Sequence, residues 1–419
     1  MNPNRPLPIR AVPRLPLSFP RPRLAGRLSG SLSLALLCAC SAGNGDAAPA
    51  PGPLTPDNGA MASDGRPFVA AEIARFDEPW AMTFLPRGRL LVTEKAGALK
   101  LMQPDGTVGD ISGVPEVDYG GQGGLGDVVA DPDFGSNGRV YLSYAEAGDG
   151  DSRGAAVARA TLTLDDKGGG ALSDLEVIWR QVPKVAGRGH FGHRIAFGPD
   201  GHLWISSGER QKFDPAQDMQ SNLGKIVRLN ADGSVPKDNP FAEDSEADAV
   251  TAQIWSLCHR NPLGIAFDAD GQLWNIEMGP SGGDELNRVE KGGNYGYPLV
   301  SEGDHYDGRP IPDHDTHPEY IAPTVSWTPV ISPAGLVIYS GDAFPDWQGD
   351  GLIAGLSSQA LVRVEFDGGK AREAERFDMG ERIREVEQGP DGTLWLLEDG
   401  DDARLLQLSP STVPAPVQP

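Results

Sequence analysis

The chemistry of this chain is concentrated in short polar clusters set between apolar stretches. One imidazole stands out: His190, inside the glycine-rich segment 187–192 (GRGHFG). Flanking glycines allow close approach of a ligand, and a histidine can take or give a proton near neutral pH. Arg260 and Asn261 lie just ahead of an apolar run, Gln122 sits in GQGGLGDV (121–128), and Arg382 and Arg384 open RIREVEQGPDG (382–392). Arginine grips carboxylates with paired donors, so this set suits a small polyanion. Segment 279–285 (GPSGGDE) offers carbonyls together with Asp284 and Glu285, hard oxygen donors of the kind Ca2+ takes. A plain solvated Gly/Asp turn is the alternative there. His193 and His202 read as structural. His305, His314 and His317 lie in an Asp-rich loop, with spacing alone to recommend them as metal ligands.

These clusters fall at the ends of a hairpin that recurs. Segments 81–94, 127–144, 195–207, 265–277, 336–355 and 386–398 each read as apolar strand, turn with Gly, apolar strand. Second-tier strands follow at 98–105, 226–232 and 361–367. A repeat of roughly 45 to 75 residues matches four-stranded propeller blades with insertions. The pattern predicts an all-β chain, a six-bladed β-propeller of four-stranded antiparallel blades over 68–409. Pairing of 405–408 with 68–73 would close the ring and leave no open edge. Trp204, Trp274 and Trp395 hold one equivalent position after the turn and are expected to pack between blades.

In a propeller the residues before each first strand surround the central channel. That position gives Trp80, Gln122, His190 with Arg194, Arg260 with Asn261, Ser332 with Pro333, and Arg382 with Arg384. The ends of the second strands add Glu94 with Lys95, Glu209 with Arg210, Met278, Gly279 and Pro280, and Ser357. A polar ring at equivalent positions predicts a pocket.

Composition agrees. With 54 Gly and 37 Pro in 419 residues and no long helical period, the chain favours a turn-rich β body. The first 40 residues hold six arginines and no acid ahead of a short apolar run, a signal-peptide pattern ending in Leu37-Cys38-Ala39-Cys40. That ending resembles a bacterial lipoprotein cleavage box, with Cys40 as the acylated residue; ordinary cleavage into a soluble periplasmic protein is the alternative. Residues 41–67 read as a Pro/Ala/Gly tether and 410–419 as a tail. The net charge of −23 argues against nucleic acid or anionic lipid as partners. Only Cys258 remains beyond the leader, so no internal disulfide is expected.

Eight motifs in order resemble the soluble PQQ-dependent aldose sugar dehydrogenases of the glucose/sorbosone dehydrogenase family: GQGGLGDV, HFGHRIAFGPDG, AQDMQSNLGKIVRL, HRNPLGIAF, GPSGGDELN, GGNYGYP, WTPVISPAG and RIREVEQGPDG. The resemblance implies a six-bladed propeller with pyrroloquinoline quinone (PQQ) in the axial pocket and Ca2+ beside it. It makes His190 the base that takes the anomeric hydroxyl proton as hydride passes to the quinone and a lactone forms. It places Gln122, Arg260, Asn261, Arg382 and Arg384 on the cofactor, with Trp327 on the pocket wall. Gly279 and Pro280 carbonyls would hold the catalytic Ca2+, and Glu285 and Tyr295 a second, structural one. An external electron acceptor is implied, since no CxxCH motif is present. Three positions depart from the glucose-specific branch: Gly189 where an Asp precedes the histidine, Ser357 for a Lys, and Met278 for a Gln. The competing classes are a metal-dependent propeller lactonase, which needs a central carboxylate cluster, and a non-catalytic propeller that binds glycans or a protein.

Overall fold

A computed structural model describes residues 65–243 and 249–411. The leader, Cys40, most of the tether and the tail beyond 411 lie outside the described residues.

Each predicted hairpin forms, and the turn chemistry explains why. In the pairs Gly192–Phe197/Leu203–Ser207, Pro262–Phe267/Leu273–Glu277 and Ile383–Gln388/Leu394–Glu398, an Asp accepts backbone N–H groups across the turn. A Gly then takes positive φ, +79° at Gly201, +80° at Gly271 and +79° at Gly392, where a side chain would be strained. Register repeats as well: Ala196 faces Trp204, Ala266 faces Trp274, and Glu387 faces Trp395.

The hairpins grow into four-stranded antiparallel sheets. Two of the four-strand runs, starting at Pro79–Leu85 and at Leu125–Ala130, are joined by a short parallel pairing of Ile111 with Gly170 and Ser112 with Ala171. The strand Phe68–Phe76 pairs with Ala403–Pro410 and completes the last sheet, as the sequence predicts. The first strands touch in a closed cycle, Pro79–Leu85, Leu125–Ala130, Gly192–Phe197, Pro262–Phe267, Pro333–Ile338, Ile383–Gln388 and back to the start.

The core lies in the seams between sheets. Leu91, Leu99 and Leu101 meet Val128, Val140 and Leu142; Leu90 and Val92 meet Trp395 and Leu397. Each such fully buried side chain contributes about 2 kcal/mol. The equivalent tryptophans sit in these seams, Trp204 on Phe267, Trp274 on Phe366 and Trp395 on Phe84, each partner belonging to the next sheet. The seams are mainly apolar, and polar side chains gather at the axis.

Candidate active site

A cavity of about 300 Å³ opens at one end of the axis, where the loops before the first strands and after the second strands converge. Its lining includes Trp80, Lys95, Gln122, Asn261, Met278, Arg382 and Arg384, all members of the predicted ring. Asn261 leads into Pro262–Phe267, and its Oδ1 is buried with no hydrogen-bond partner. Arg382 and Arg384 flank Ile383 at the start of the last hairpin. Asp399, across the same hairpin, accepts from Arg382 Nε at 2.8 Å and from Arg384 Nε and Nη2 at 2.9 and 2.6 Å. Glu78 does the same for Lys95 at 2.9 Å and also takes the Tyr119 hydroxyl. Burial works against ionising Asp399, but Arg384 and Arg382 bring its pKa below the usual range. Each arginine is thus aimed by a carboxylate yet keeps spare N–H donors, which is how a cationic wall is preorganised for an anion.

His190 stands at the edge of this pocket at φ +49°. Its N–H donates to Gln122 Oε1 at 2.6 Å, and the next two residues, Phe191 and Gly192, line the cavity. Its Nδ1 lies 2.5 Å from Glu209 Oε1. Burial, with Arg260 nearby, holds the imidazole pKa below its ordinary value against the upward pull of Glu209. Burial opposes ionisation of Glu209 too, yet the His190 contact brings it down. A neutral ring facing a carboxylate carries its proton on Nδ1, so Nε2 keeps the lone pair and can act as a base.

Arg260 is fixed from behind. Its N–H donates to Glu277 Oε2 at 2.6 Å, and its Nη1 to the carbonyls of Met278 and Gly279 at 2.9 and 2.6 Å. Its Nε is buried without a partner. The Gly279 carbonyl therefore already points at positive charge, and Asp284 braces the loop by accepting from Gly279 N–H at 2.9 Å and from Ile331 and Ser332 N–H. Behind it, buried Glu277 accepts from Asn275 and Asn287 at 3.0 Å and pairs with His259 at 2.8 Å. Glu285 is buried beside it, and burial together with the Glu277 charge raises its pKa well above normal. The Oδ1 atoms of Asn275 and Asn287 have no partner there. Such a set, acidic and short of donors, fits a cation. Tyr295 stacks on His259 at 4.6 Å, but its hydroxyl is used by Glu290 N–H and Arg288 carbonyl, and its own carbonyl faces His314 Nε2 at 3.1 Å. Among the described residues, no group of three or more His, Cys, Asp or Glu is arranged to hold a metal unaided.

Several expected positions fall elsewhere. Trp327 ends the outermost strand of its sheet, Val325–Trp327, where it packs against Leu286 and Val362 and donates to Glu373 at 2.6 Å. It is a seam residue and not a pocket wall. Arg210 is buried on Phe191 with its donors spent on the carbonyls of Gly189, Arg153 and Gly187. Arg194 points away from the pocket: it lies 4.1 Å from the Trp80 ring and lines a second axial cavity of about 100 Å³ with Asp127, Glu385 and Glu387. His305 and His317 do not join His314 in a cluster; His314 is pinned by Glu302 and the Tyr295 carbonyl. At Gly189 an added Cβ would come within 2.5 Å of Gln211 Oε1, so the amide of Gln211 fills the room an acid would need. The roles of Glu209, Asp399 and Glu78 escaped the sequence, because a carboxylate that only orients a neighbour carries no motif of its own.

Known proteins are similar to this chain in sequence and fold. The *Escherichia coli* aldose sugar dehydrogenase YliI is 40% identical over 345 residues, 80% of this chain and 91% of its own length. The crystal structure of the soluble *Escherichia coli* aldose sugar dehydrogenase in the apo form superposes with a TM-score of 0.76 at 38% identity, covering 82% of this chain and 99% of that one. The PQQ-bound aldose sugar dehydrogenase of *Streptomyces coelicolor* gives 0.67 at 29% identity, over 81% and 96%. Residues 76–407 match the profile described as Glucose / Sorbosone dehydrogenase, and with the axial ring in place the chain belongs to that family.

Proposed function

We propose that this chain oxidises aldose sugars at the anomeric carbon to lactones, with PQQ in the front pocket, Ca2+ beside it, and electrons leaving to an external acceptor. The observation that carries the reading is His190: a base with a free Nε2, oriented by Glu209, at the lip of a pocket whose arginines keep spare donors. The closed cycle of first strands supports six blades over 68–409. The basic leader supports export to the periplasm, with Cys40 as a lipid anchor.

When bound, the quinone supplies a two-electron acceptor for hydride, its carbonyl polarised by Ca2+. Arg382 and Arg384 would hold its carboxylates, and Asn261 and Arg260, each with an unused buried polar atom, its edge. Gln122 would flank it while holding the His190 backbone. Gly279 and Pro280 carbonyls would take the catalytic Ca2+, and Glu285 with Tyr295 the second. His190 Nε2 accepts the anomeric hydroxyl proton, and Glu209 stabilises the imidazolium that forms.

Titrating the purified protein with PQQ and Ca2+ should give saturable absorbance changes, and the loaded protein should reduce a dye with aldoses. Uptake without oxidation of any sugar would overturn the reading.

A further inference from the structure

Beyond His190 the site continues into bare aromatic rings. Phe213 is 44% exposed and Tyr306 77%, the highest among the large apolar and aromatic side chains described. Phe213 stacks on buried Tyr297, with centroids 6.3 Å apart, and meets the His305 ring at 5.9 Å. Tyr306 accepts from Arg260 Nη2 at 3.3 Å, and the guanidinium lies 5.7 Å from its ring and 6.0 Å from that of Tyr297. The strip is tied to the base: Glu209 holds His190 with Oε1 and takes the Phe213 N–H on Oε2 at 2.8 Å. Phe213 is kept at φ +63°, a conformation a bulky residue seldom adopts, and its ring is left in water.

We infer that Phe213 and Tyr306, with buried Tyr297 backing the Phe213 ring, form a stacking subsite for pyranose rings, which selects the sugars presented to His190. The inference rests on the sugar-oxidising reading above. A pyranose carries apolar C–H faces and a polar rim, so it stacks on an aromatic face while its hydroxyls meet Arg260 and solvent. Phe213 is held by Glu209 and Tyr306 by Arg260, both outside the base, so the second ring of a disaccharide whose reducing end meets His190 finds an aromatic face there. The subsite therefore favours disaccharides over small aldoses.

The test uses quinone-loaded protein and the ratio of kcat/KM for cellobiose to that for xylose. Phe213→Ala and Tyr306→Ala should each lower the ratio about fivefold to tenfold, mainly through KM for cellobiose, while Phe213→Tyr keeps it. Should Phe213→Ala lower Tm, Tyr306→Ala decides, since most of that ring is in solvent. A ratio unmoved in Tyr306→Ala, with wild-type protein oxidising both sugars, overturns the stacking subsite and leaves the proposed function standing. Wild-type protein that oxidises neither overturns both.

Discussion

The two axial chambers are built from the same strands but use charge in opposite ways. In front, Lys95, Arg382 and Arg384 each have an acid behind them, Glu78 or Asp399, and face the open pocket. At the rear, Arg194 is surrounded: it pairs with Glu385, lies 3.5 Å from Asp127, and spends its Nε on the Leu263 carbonyl at 2.7 Å. Asp127 is further held by Ile195 N–H at 2.8 Å. The rear chamber surrounds its one arginine with acids of the protein itself, whereas the front leaves donors over. Trp80 separates them, lining the front while its ring carries the Arg194 guanidinium. The contrast teaches that a ring of equivalent positions can serve ligand binding at one end and structure at the other.

Changes in front should therefore cost chemistry and binding, and changes at the rear should cost stability. The largest effect is expected for His190→Ala, a loss of about a thousandfold in kcat of the loaded enzyme, read by dye reduction. Arg194→Met should destabilise by about 3 kcal/mol in denaturant titration, because it leaves buried acids without their cation. Weakened quinone binding instead of lower stability would erase the distinction between the chambers. Arg384→Ala should raise the quinone Kd about thirtyfold by absorbance titration with little change in Tm, since one charge-assisted donor set is lost.

Two smaller effects sharpen the contrast through pH. His190 must be neutral to act, and its pKa is held below the usual value, so the acid limb of kcat/KM should lie below pH 6.5. Glu209 pulls that pKa up; Glu209→Gln should move the limb further towards acid, and a shift towards alkali would contradict the assignment. At the rear, burial lifts Glu385 to about 7, and burial with the Glu385 charge lifts Glu387 to about 8. An acid raised on folding binds protons more tightly in the native state, so stability falls as pH rises from the unfolded pKa towards the folded one. Between about pH 5 and 8, the fall in Tm should be shallower in Glu387→Gln than in wild type.

Much of this was legible in the residues. Asp-Gly turns between apolar runs declare hairpins because glycine alone takes the turn conformation without strain, and a repeated hairpin brings its ends together. Gln122, Asn261, Arg382 and Arg384 were found on that logic. It failed for Arg194, since a strand's position does not say to which end of the axis a long side chain reaches; Trp327, expected at the pocket wall from the family resemblance, folds its ring into a seam instead. Phe213 and Tyr306 gave no signal because they lie on excursions outside the hairpin repeat.

The pocket wall straddles the join between the two ends of the fold. Glu78 and Lys95 come from the first sheet, Arg382, Arg384 and Asp399 from the last, and Glu78 N–H is bonded to the Gly400 carbonyl at 2.8 Å. On the ribosome the N-terminal half emerges with only part of the wall, and its partner arginines do not exist until nearly the whole chain has been made. A molecule gripped from both sides acts as a clasp on that join, so it adds its binding free energy to holding the circle shut.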